Sequence, residues 1–224
     1  MKVSVYVSPQ IQSVIELYEG LFGAQSYRRT VKEQVFSFAE RLGNGFKKQE
    51  PGAYFEISNW HPTLISKPMQ VVWESKMIES DFLAVIAREF GYKNLQAALQ
   101  NGENCPDPLF EHLVDAGLDG DIEKVGDLLA GNPRLSEQVS HWGHQSTALH
   151  YIAANGVESF RQIVPNNAKA VGQALLKHGS KVNAEANMYG GGQRVLGLLR
   201  TSSHPAEAGV AKDVEEVLLS AGAI

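Results

Sequence analysis

Four places in this 224-residue chain carry residue types and spacings that could do chemistry. His141-x-x-His144 sets two imidazoles on a loop with His150 nearby, the beginning of a zinc site. Zinc takes three or four protein ligands, and no definite third accompanies the pair, so no metal and no cofactor are expected. Tyr189-Gly-Gly-Gly-Gln-Arg194 precedes a helical pattern and could cradle an anion on backbone N–H groups. It lacks the GxGxxG and GxxxxGK(S/T) spacings of nucleotide loops, and its glycines read as a turn needing positive φ. Cys105, between Asn104 and Pro106, lacks a neighbour that would lower its pKa. His204, Glu207 and Arg161 would serve general acid–base chemistry only if they converged in a cleft. No G-x-S-x-G or H-E-x-x-H motif is present. No catalytic residue is therefore assigned, and the chain is not expected to be an enzyme.

Composition narrows the classes further. No apolar run approaches the roughly 18 residues of a membrane span, and Met1–Pro9 is too short and polar for a signal peptide. With a single cysteine no intrachain disulfide can form. A cytoplasmic protein without membrane partners is the expectation. Net charge is −5, and residues 105–224 hold nine Lys and Arg against fourteen Asp and Glu, while residues 1–104 hold eleven of each. Nucleic acid is not expected as a partner, because phosphate binding needs clustered cations. A basic partner surface fits the acidity, and so does plain solubility.

The periodicities place these residues on elements. Val3, Val5 and Val7 alternate with polar neighbours, which predicts a short N-terminal strand; Gln70–Trp73 is the candidate to pair with it. Ser8-Pro9 reads as N-cap and first helical residue, ahead of Ile11, Val14, Ile15, Tyr18 and Phe22 at helical spacing, with Gly23 as the stop. A second helix is predicted over 27–42 with Gly43 after it, and Gly43-Asn-Gly45 reads as a loop. Ser80 caps a helix that stops at Gly91, and Asn94 caps a shorter one through Leu99. The two prolines of 101–108 mark a domain boundary.

Thr147-Ala-Leu-His-Tyr-Ile-Ala-Ala-Asn-Gly156, followed by Ala174-Leu-Leu-Lys-His-Gly179, resembles an ankyrin repeat, whose first helix opens T-P-L-H-x-A. Thr147, Leu149, His150 and Ala153 match that opening, with Ala148 where the family has proline. The resemblance implies structural roles: a bond between Thr147 and His150 within the turn, Gly156 closing the first helix and Gly179 the second. Three such units align, at about 109–146, 147–193 and 194–224. Residues 86–99 are similar to a helical lead-in of bacterial ankyrin proteins, so 1–104 reads as a helical N-terminal cap over 105–224. The expected fold class is all-α: an ankyrin-repeat solenoid with a helical N-terminal extension and one short strand.

Ankyrin scaffolds recognise proteins, and the resemblance implies that function here. Two surfaces compete for it. The closing glycines 131, 179 and 222 are 48 and 43 residues apart, above the family's roughly 33. Part of the excess is two inserts, 157–167 and 201–209, expected side by side on one edge and offering Phe160, Arg161, His204 and Glu207. The rest lengthens the projecting fingers, 133–146 with Trp142 and His144, and 180–193 with Tyr189. Trp and Tyr are residue types that make interface hot spots. A regulator or inhibitor of one enzyme or toxin would use the same surfaces. A small hydrolase or ligand-binding protein on the insert edge is the alternative of another class. The chain stops at Leu219–Ile224 where an array would enter another finger, which the last helix, a partner or a second copy through the C-terminal repeat would close.

Overall fold

Ser8 accepts a hydrogen bond from the Ile11 amide, and Pro9, whose missing N–H costs nothing at a helix start, opens α1 (Pro9–Leu17). In the computed structural model, which describes residues 3–224, the chain is 56% helical and forms two compact units. One comprises Ser8–Pro106 together with Glu158–Phe160; the other holds residues 3–7, Asp107–Val157 and Arg161–Ile224. The split therefore falls after Pro106, but the two short segments cross over to the unit opposite their sequence neighbours. None of the described helices is long and apolar enough to cross a membrane.

The first unit continues through α2 (Val31–Lys47), α3 (Pro51–Trp60), α4 (Met69–Trp73), α5 (Glu79–Glu89) and α6 (Leu95–Gln100). Thr30 and Glu33 close a reciprocal capping box at the start of α2, and Asn94 caps α6 by accepting from Ala97. The cap of α5 comes earlier than expected: Ile78 is its N-cap, with the Ile78 amide donating to Asp81 Oδ2 at 2.8 Å, and Ser80 lies inside the helix. Helix α2 runs straight through Gly43 and Gly45, where a loop was expected. A Cβ on Gly45 would lie 2.5 Å from Leu17 Cδ1, and one on Gly43 would lie 3.1 Å from the Phe82 ring. These glycines let α1 and α5 approach α2 closely. Helix α1 packs mainly on α3, and α2 on α5. The core is aromatic, with Phe38 4.6 Å from Tyr18 and 5.3 Å from Phe90, centroid to centroid.

In the second unit the N-terminal strand exists as β1 (Val5–Tyr6), but it pairs antiparallel with β2 (Val164–Pro165). Gln70–Trp73 is not its partner, because those residues are helical in α4. Helices α7 (Pro108–Leu118) and α8 (Ile122–Gly131) form one antiparallel pair, turned at Gly120 with φ +71°. A second pair is α9 (Ala148–Tyr151) with α10 (Ala168–Lys177). The third is α11 (Val195–Thr201) with α13 (Ala211–Ser220), between which lies the single turn α12 (His204–Glu207). Helix α7 packs on α9 and α9 on α11, while α8 packs on α10 and α10 on α13. First helices thus stack on first helices and second on second, around one core that includes Phe110, Leu113, Leu149, Val171, Leu175, Leu198 and Leu218. Fully burying each such side chain contributes about 1.5–3 kcal/mol.

Candidate functional site

The two long connections of the second unit fold as hairpins. In 133–146 the strand-like ends meet at Val139 and Thr147, and the Ser140 amide donates to the Ser146 carbonyl at 2.8 Å. In 180–193, β3 (Glu185–Ala186) pairs with β4 (Gln193–Arg194). The hairpins are bonded to each other. The Asn187 amide donates to the His144 carbonyl at 2.7 Å, its side chain to Gln145 Oε1 at 3.1 Å, and Lys181 pairs with Glu137 at 3.1 Å.

The residues under them are locked. The Thr147 amide and hydroxyl lie 3.1 and 2.9 Å from His150 Nδ1, and His150 Nε2 lies 3.1 Å from the Ala184 carbonyl. A carbonyl can only accept, so Nε2 carries the proton and Nδ1 accepts from Thr147. Burial drives the His150 pKa down to about 4, which keeps this neutral tautomer. His150 therefore ties the base of one hairpin to the other. Gly156 (φ +74°) ends the segment after α9, and Gly179 (φ +98°) ends α10, with Ser180 donating back to Leu175.

Two of the aromatic residues expected at the surface are not there. Trp142 is only 4% exposed, its ring tilted against that of His141 with centroids 4.1 Å apart. His144 is 0% exposed, accepting from the Ser146 amide and edge-on to Tyr151. Their side chains cannot meet a partner without unfolding the hairpin; a short loop closed by side-chain bonds turns its large residues inward. Among the described residues no group of three or more His, Cys, Asp or Glu is placed to hold a metal ion.

Tyr189 is different. The residue is 62% exposed, while its hydroxyl donates to Asn155 Oδ1 at 2.7 Å and burial of the phenol raises its pKa. Asn155 in turn donates to the Leu198 carbonyl and the Thr201 hydroxyl. The ring lies over Gly156, where a Cβ would come within 3.1 Å of Tyr189 Cε2. The tip beyond it, Gly190-Gly-Gly192, has positive φ throughout. Val139, Gln145 and Asn187 are also exposed on the two hairpins. An outward aromatic is thus held in place by a chain of bonds to α11.

The insert edge does not gather its expected residues. Phe160 belongs to the first unit, stacked on Phe22 at 5.0 Å. Arg161, its neighbour in sequence, is buried in the second unit, donating to Glu111 Oε2 at 2.6 Å and Asp115 Oδ1 at 2.9 Å. Glu111 Oε1 lies 3.4 Å from His141 Nδ1, and the guanidinium sits 5.8 Å from the Tyr151 ring centroid. Arg161 is a buried cation paired with carboxylates and is no surface residue. At the other insert, exposed Glu207 accepts from the Tyr6 hydroxyl at 2.6 Å, and His204 is half-buried, its pKa lowered by burial. Tyr6 pairs through its backbone with Val164, so β1 contacts both inserts. Sequence reasoning passed over Glu111, Asp115 and Tyr6, because nothing local marks a carboxylate or tyrosine for a partner tens of residues away. Compared with protein-family models, with curated proteins and with solved structures, the chain matches none.

Proposed function

We propose that the second unit is an ankyrin-type solenoid that recognises another protein along its hairpin edge. The contact residues are Tyr189, Val139, Gln145 and Asn187. The stacking order of three helix pairs, the T-A-L-H turn with its Thr147–His150 bonds, and the hairpins at right sequence positions support the fold reading. The observation that carries the recognition reading is the exposed Tyr189, its hydroxyl pinned through Asn155. An aromatic held in one conformation loses little entropy on binding, which is how a few residues come to dominate an interface. Trp142 and His144 serve the same surface from beneath, as packing that fixes the hairpin.

The test is affinity capture from source-cell extract with the full chain, followed by titration of the purified captured protein. Wild type, Tyr189→Ala with Val139→Ser, and a distant control on α8, Glu123→Ala, are compared. The reading predicts one protein that binds wild type and control alike and loses about tenfold or more in affinity to the hairpin variant. Equal binding by all three rejects the hairpin edge as the site.

A further inference from the structure

The strand β1 is bonded along one edge only. The Asn166 amide donates to the Ser4 carbonyl at 2.8 Å, and the Ser4 amide donates to Asn166 Oδ1 at 3.3 Å. Both backbone groups of Ser4 therefore point toward β2. In an antiparallel pair the side on which successive residues bond alternates. Tyr6, opposite Val164, shares the edge that Ser4 uses, and Val5 points its N–H and carbonyl the other way. The register agrees, because Val5 lies opposite Pro165, which has no N–H to give. No other described residue takes the Val5 N–H or carbonyl. Val5 is 36% exposed and Val3 39%.

Natural sheets guard such an edge with a charge, a proline, a bulge or a covering element. Residues 3–8 read Val-Ser-Val-Tyr-Val-Ser, without a charge or a proline. The carboxylate that reaches β1, Glu207, accepts from the Tyr6 hydroxyl at 2.6 Å. Tyr6 projects from the face opposite the valines, because side chains alternate along a strand. An unguarded edge with exposed valines is a template for another strand.

We propose that this edge pairs with the β1 edge of a second copy of the chain, in an antiparallel two-fold contact centred on Val5. The edge is self-complementary. About a two-fold axis at Val5, each Val5 N–H donates to the Val5 carbonyl of the other copy, the exchange that an antiparallel pair makes. Val3 then falls opposite Val7 of the other copy, and the valines of both chains line one face of a sheet ordered β2-β1-β1-β2. No like charges meet across it. A foreign strand would have to supply both the register and the apolar alternation, whereas a second copy carries them. The bonds within each chain are kept, since Ser4 and Tyr6 serve β2. So short a strand makes a small contact, and dilution should separate the dimer.

Sedimentation of the full chain between about 1 and about 200 µM tests this, with amide exchange of Val5 and Tyr6 followed at both ends of the range. Wild type should pass from mostly monomer to mostly dimer. The Val5 amide should exchange about threefold or more slowly at the upper end, while Tyr6, paired with Val164 in both states, should not change. Val5→Lys sets two ammonium groups beside the axis and should weaken the dimer about tenfold or more. At low concentration it should melt with wild type, since no bond between β1 and β2 is lost. Should that variant not fold, the contrast between Val5 and Tyr6 in wild type decides. A wild type that stays monomeric overturns the proposal and leaves the edge to an extended segment of another protein. A dimer that Val5→Lys leaves unchanged, or that forms without slowing Val5, overturns it as well.

Discussion

Arg161 donates to Glu111 Oε2 at 2.6 Å, with both side chains buried, across 50 residues of sequence. The same guanidinium reaches Asp115, whose side chain is 34% exposed. The two carboxylates should respond differently to mutation. Arg161→Ala strands Glu111 without its cation and should cost about 3–5 kcal/mol. Asp115→Asn keeps a polar partner in a partly hydrated place and should cost under about 1 kcal/mol. Urea denaturation of the two variants checks the ranking.

His150 makes stability depend on pH. Its folded pKa is depressed to about 4 from the ordinary 6.5, so the folded state takes up a proton less readily than the unfolded chain. Its contribution is complete above pH 6.5 and is lost as pH falls from there through about 4. Over that window wild type should lose about 3 kcal/mol more than His150→Asn. Melts at stepped pH read it out.

Two glycines should give opposite signs when replaced by alanine. A Cβ on Gly52 would sit 2.2 Å from the Ser13 carbonyl oxygen, where α3 crosses α1. Backbone cannot swing aside as a side chain can, and Gly52→Ala should cost about 1–3 kcal/mol. Gly126 lies within α8 with nothing within 4 Å of its Cβ position. There alanine removes only unfolded-state freedom, and Gly126→Ala should stabilise by about 0.5–1 kcal/mol. Thermal midpoints of the pair suffice.

Tyr189→Phe separates the pin from the ring. Losing the bond to Asn155 should change global stability by no more than about 1 kcal/mol. If the pin orients the ring for recognition, affinity for the captured partner falls in Tyr189→Phe and falls further in Tyr189→Ala. Calorimetric titration of both variants gives the two steps.

Where the deciding forces act within a turn or two of chain, the sequence was enough. Ser8 and Asn94 cap helices through bonds to amides three residues on, and each does so where its type and spacing predict. The Thr147–His150 bond is equally local. Tertiary structure decided what depends on a distant neighbour. Gly43 and Gly45 lie inside α2, where α5 and α1 pack against them, and β1 pairs with 164–165 while 69–73 is helical. Trp142 and His144 were legible as hairpin residues, but their inward packing was not. Glu56, Glu89, Glu111 and Arg161 look like ordinary surface charges in sequence. Only the fold removes their water and chooses their neighbours, and a charge takes its meaning from those two things.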